Sequence, residues 1–156
     1  MQTTALAAGG LALADTSHAA KDKTMSNDYP LFVSTWPFGK PANEQSLKIF
    51  QGGGSILDAV EQGIHVAEAD ASNPSVGLGG IPNAEGVVQL DACIMDGEGQ
   101  RAGSVAAIEG ILHPISVARR VMDDTKHVML AGDGARQFAL AQGFASVELL
   151  TKERRT

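Results

Sequence analysis

The sequence predicts an α+β fold, with helices stacked on a mixed or antiparallel sheet. Three observations carry this. Apolar residues alternate from 87 to 95, with Val88, Leu90, Ala92 and Ile94 on one face and Val87, Gln89, Asp91, Cys93 and Met95 on the other. Asp96-Gly97 and Gly99 then make a turn, and 104–107 returns as a partner strand, so the chain holds a hairpin. On both sides of this hairpin the spacing is helical. A hairpin among helices argues against a doubly wound parallel sheet.

In chain order, residues 21–30 are polar and read as a linker. Leu31-Phe32-Val33-Ser34-Thr35 is a short β-rich run that Pro37 stops. Pro41 can open a helix through Phe50, with Leu47, Ile49 and Phe50 as its apolar residues. Gly52-Gly53-Gly54 ends it. Ser55 then caps a second helix, and Asp58 three residues on completes a capping box. In that helix Ile56, Ala59, Val60, Ile64 and Ala67 form the expected buried face. The glycines and prolines of 73–86 require a loop. After the hairpin, His113-Pro114 opens a helix with Ile115, Ala118, Val121 and Met122 inward. Residues 128–131 read as a strand, Gly132-Asp133-Gly134 as a turn, and 135–142 as a helix closed by Gly143.

Composition removes several classes. With 156 residues, 44% hydrophobic and 19% charged, the chain has the makeup of one globular domain rather than of a disordered one. A net charge of −6 argues against a nucleic-acid partner. No apolar run reaches the roughly 18–20 residues of a membrane span. The single cysteine, Cys93, excludes an internal disulfide and a four-cysteine zinc site. Cys93 itself reads as a small core residue. Gly52-Gly53-Gly54-Ser55 lacks the lysine of a phosphate loop, and Gly132-Asp133-Gly134 fails the dinucleotide spacing at Phe138. His18, His65, His113 and His127 show no paired ligand spacing, so no metal is expected. Asp91, in the middle of a strand, must find a hydrogen-bond or charge partner, and reads as a structural anchor, with direct chemistry as the alternative. Trp36 sits where a strand breaks at Pro37, with Phe38 next to it. Two rings there form either a rim for an apolar or sugar face or a lid on the core.

Residues 1–20 are Ala/Gly/Leu-rich, with Asp15 the only ionised side chain. They read as an export-signal remnant, which makes the protein periplasmic or secreted. The alternative is an N-terminal tail: the start lacks a basic residue, and His18 stands where a small residue precedes cleavage.

Six segments together carry a resemblance. They are Ser34-Thr35-Trp36-Pro37-Phe38-Gly39, GGGSILDAVE at 52–61, SVGLGG at 75–80 with Pro82, LDACIMDG at 90–97, PISVAR at 114–119 and HVMLAGDG at 127–134. In this order they resemble the α-subunit of the glycosylasparaginase (aspartylglucosaminidase) family of N-terminal nucleophile hydrolases, over residues 31–150. The Trp-Pro-Phe and SVGLGG elements favour this branch over plant-type asparaginase/isoaspartyl peptidases.

The resemblance implies half of a four-layer αββα sandwich, completed by a β-subunit, and an (αβ)2 assembly. It implies a precursor that cuts itself before a threonine, which then attacks the side-chain amide of glycosylasparagine, a small substrate. It implies no metal and no organic cofactor. Trp36 matches the family's substrate-facing tryptophan, with Phe38 beside it, and Ser75 matches a serine that supports the nucleophile and processing. No catalytic residue falls within this chain: the family's His-Asp-Thr-like cut site has no counterpart in it, and Thr156 follows Arg155. Residues 151–156 read as the start of the flexible segment leading to that site. The chain alone is expected to be inactive, either a trimmed α-subunit or a truncated reading frame. The alternatives are an asparaginase/isoaspartyl peptidase of the same superfamily, or a non-catalytic fragment.

Overall fold

A computed structural model describes residues 30–154. The export-signal reading of 1–20, the linker apart from Pro30, and positions 155 and 156 lie outside the described residues. The elements are α1 (Gly39–Gln51), α2 (Ile56–Glu68), β1 (Gln89–Asp96), β2 (Arg101–Glu109), α3 (Pro114–Asp124), β3 (Leu130–Ala131) and α4 (Gly132–Ala141). A single 3₁₀ turn, Lys152–Arg154, follows. The α+β class stands, and the three-stranded sheet is mixed: β1 and β2 are antiparallel, β2 and β3 parallel.

The core lies on one face of this sheet. Val88, Leu90, Ile94, Val105 and Ile108 meet Ile115, Val117, Ala118, Val121 and Met122 around α3, with Ala135 and Ala139 from α4. The alternation expected of β1 holds on this side. It survives in β2 because of a bulge. The register shifts between Leu90 and Ala92, so Ala106 and Ala107 together oppose Asp91. Ala107 takes a left-handed φ of 48°, and its N–H donates to Asp91 Oδ1 at 2.7 Å. The acid in the strand is therefore a bulge anchor, and the shift returns Ile108 to the core at 0% exposure.

The capping box of α2 is present: the Asp58 N–H donates to Ser55 Oγ at 3.1 Å, and the Ser55 N–H to Asp58 at 3.0 Å. Its buried face differs from the expected one. Ala59, Gly63 and Glu68 are buried, whereas Ile56 is 52% exposed. Helix α1 packs on α2 through Ser46, which is buried against Gly63, whereas Leu47 is 37% exposed. α1 also starts earlier than Pro41, at Gly39, because the Gly39 and Lys40 N–H groups bond the carbonyls of Trp36 and Pro37.

Three strand expectations need correction. Residues 31–35 form no strand, since a β-rich run needs a partner ladder and none of the described residues supplies one; Leu31 and Val33 lie 86% and 81% exposed. Only Leu130–Ala131 of 128–131 pairs, and the helix after it begins at Gly132 without a separate turn. Cys93 is exposed rather than a core residue. It shares the outer face of β1 with Gln89, Asp91 and Met95, which the described residues leave open.

Candidate functional site

The aromatic positions lie just before α1. Trp36 is 65% exposed, so among the described residues it is not a plug in the core. It lines an open cavity of about 450 Å³ with Ser34, Lys40, Asn43 and Glu44. Ser34 Oγ donates to Asn43 Oδ1 at 2.6 Å, which ties the extended run to α1. Phe38 is half-buried at the helix start and does not line this cavity.

Ser75 sits elsewhere, on the loop between α2 and β1. Its N–H donates to Asn73 Oδ1 at 3.0 Å, an Asx turn that orients the exposed hydroxyl-bearing residue. The loop is pinned to the end of α2, because the Leu78 N–H donates to the Glu68 carbonyl at 2.8 Å. Ser75 opens onto a cavity of about 300 Å³ that also reaches Glu68, Asp91 and Cys93. Trp36 and Ser75 therefore lie on separate cavities. A larger one, of about 650 Å³ beside Glu109, Asp133 and Arg136, contains neither.

Below Ser75 lies a cluster that the linear reading does not bring together. Glu68, 2% exposed, accepts from the Ile115 N–H at 3.1 Å and lies 2.9 Å from His113 Nδ1. Helix α3 has no side-chain cap of its own, and Pro114 has no N–H to offer, so a carboxylate from α2 caps it across the fold. Burial pushes Glu68 above the ordinary carboxylate range, outweighing the opposing pull of His113 and Ile115. His65 stacks on His113 with centroids 3.9 Å apart and planes inclined by 23°. Ser116 Oγ bonds both Glu61 and His65. The signal in the sequence was a polar stripe: Glu61, His65 and Glu68 fall at i, i+4 and i+7 on α2.

His65, Glu68 and His113 bring potential ligand atoms within 4.8 Å of one another. Two of the ring nitrogens are already engaged, His65 Nε2 with Ser116 and His113 Nδ1 with Glu68, so the cluster is joined as a hydrogen-bonded seam. Among the described residues no helix is long and apolar enough to cross a membrane.

An α+β frame that presents an exposed serine and an exposed indole on two separate cavities defines the class of protein. The family model described as asparaginase matches residues 21–156, and the chain belongs to the asparaginase family. The N(4)-(β-N-acetylglucosaminyl)-L-asparaginase of Elizabethkingia miricola is 49% identical over 151 residues, which is 97% of this chain and 44% of that protein. The rat protein of the same name is 44% identical over 130 residues, covering 83% and 37%. A plant-type L-asparaginase of Pyrococcus abyssi is 48% identical over 104 residues, covering 65% and 33%. The chain thus spans less than half the length of these curated relatives.

Proposed function

We propose that this chain is the α-part of a glycosylasparaginase-type amidohydrolase, which releases aspartate from the amide of glycosylasparagine. The observation that carries the reading is the 49% identity that runs through 97% of the chain to a relative bearing that name. The shorter span shared with the plant-type relative, 65% of the chain, supports the same branch. In this reading the chain is completed by a β-subunit, and self-cutting exposes a threonine at that subunit's start. An α-amine has a pKa of about 7.7–8.0, so that threonine's own amine can take the hydroxyl proton near neutral pH. The hydroxyl oxygen attacks the amide carbonyl, the glycosylamine leaves, and water releases aspartate from the ester.

Ser75 supports the nucleophile from the loop pinned to Glu68, while Trp36, with Phe38 beside it, holds the substrate by apolar contact. The open outer face of β1 supports the half-sandwich reading, because a second sheet of the β-subunit would cover Cys93 and Met95. Export, on the composition of residues 1–20, and an (αβ)2 assembly belong to the same proposal.

The test is the full-length gene product, assayed on glycosylasparagine and on plain asparagine. Preference for the glycosylated amide supports the proposal; activity on asparagine alone moves the chain to the plant-type reading. Trp36→Ser should leave self-cutting and melting intact and lower kcat/KM by about 10- to 100-fold, the worth of one well-placed aromatic contact. A cut, stable variant with undiminished turnover would remove Trp36 from the substrate site. Ser75→Ala should give a folded chain that is cut slowly or not at all, and normal conversion to two subunits on a gel would remove its role.

A further inference from the structure

The seam between α2 and α3 carries a chain of polar contacts that the proposed chemistry does not use. Ser116 has one hydroxyl proton, and Glu61 accepts it. His65 Nε2, 2.7 Å from the same oxygen, must then be the donor, which leaves Nδ1 as the one position of His65 open to a proton. The His65 ring lies against His113, His113 against the buried Glu68, and the Glu68 carbonyl holds the Leu78 N–H of the Ser75 loop.

The charged surroundings are mixed. From α2 come Asp58, Glu61 and Glu68. From α3 come Arg119, Arg120 and Asp123, with Arg119 Nη1 3.6 Å from Asp58 and 3.8 Å from Glu61 while its Nε–H donates to Asp123 at 2.6 Å. Asp91 and Cys93 of β1 share the Glu68 cavity. α1 packs on α2 through Ser46, and its Lys40–Glu44 pair points to solvent.

We propose that the His65–His113 stack is an acid-sensitive latch: a proton on His65 Nδ1 opens the stack, loosens the end of α2 and releases the loop that carries Ser75. The latch stands independently of the reaction proposed above. Burial first, and then the charge of His113, hold His65 down to about 4, against 6.5 for the free side chain. The unfolded chain takes this proton near 6.5 and the folded chain does not. Stability is therefore complete above 6.5 and is lost as pH falls from 6.5 towards 4. Glu68 works in the opposite sense, since its raised value makes protonation favour the folded state. Asp58, Asp70 and Asp96 are held below 3.8 by hydrogen bonds to Ser55, Ser72 and Arg101, so their stability is lost in a lower window.

The experiment uses the full-length gene product and its His65→Gln variant, whose amide can keep the bond to Ser116 but cannot titrate. In the wild type the melting temperature should fall between pH 6.5 and 4.5 and the Leu78 amide should lose hydrogen-exchange protection; in His65→Gln both losses should be largely abolished. An equally steep fall in the variant, or unchanged Leu78 protection in the acidified wild type, overturns the latch. Should the variant fail to fold, the histidine resonances of the wild type decide. A His65 signal that titrates together with loss of the Leu78 amide's protection supports the latch, and one that titrates with that protection and the fold intact overturns it.

Discussion

Gly77→Ala is expected to destabilise the protein by about 3 kcal/mol or more and to displace the Ser75 loop. Two effects add. Gly77 has φ of +63°, which an L side chain adopts at a cost of about 1–2 kcal/mol. A Cβ there would also overlap the Glu68 carbonyl group and Cα, all backbone at the end of α2. The Leu78–Glu68 bond of 2.8 Å holds the two segments in that contact, so neither can give way without breaking it. Gly86 is the internal control. Its φ is +79°, but nothing lies within 4 Å of its Cβ position, so Gly86→Ala carries the conformational cost alone, about 1 kcal/mol. Chemical denaturation of both variants separates strain from overlap. Equal losses at the two sites would show that the loop moves away from Glu68 freely.

Glu68→Ala is expected to cost about 2–4 kcal/mol. The carboxylate is 2% exposed and serves two partners on or before α3, the Ile115 N–H and His113. Truncation leaves the Ile115 N–H, at a buried helix start, with no side chain to receive it. Glu68→Gln is the sharper variant. Its amide oxygen can still accept from Ile115, and burial no longer opposes a charge, so it should recover most of the loss. Melting temperatures of the two variants, measured at pH 7, test this. An Ala variant as stable as Gln would mean that α3 needs no cap from α2.

The elements written in local chemistry were legible in the sequence. The capping box at Ser55 and Asp58 is complete within three residues, and the β1 alternation names Val88, Leu90 and Ile94 as core. Pro114 sets the start of α3, and Gly143, with φ of +88°, follows the end of α4. Residues 31–35 misled because β propensity describes a side-chain surface and cannot supply the ladder that completes a strand. Ile56 misled because a helical stripe of apolar residues does not say how far around the helix the neighbouring layer reaches.

The candidate site divides along the same line. Trp36, Phe38 and Ser75 could be singled out because each lies within a distinctive run, Trp-Pro-Phe or SVGLGG. That the indole and the serine open onto different cavities could not be read from those runs.

By itself the sequence determined the α+β class, the starts of α2 and α3, the hairpin and the family. All of these rest on chemistry within a few residues or on recurring motifs. Only the tertiary structure decided that Asp91 anchors a bulge, that Glu68 caps a helix far along the chain, and that His65 lies against His113. These are pairings between distant segments. Each side chain is unremarkable in its own neighbourhood, and what it does is set by whichever polar group folding leaves opposite it once water is excluded.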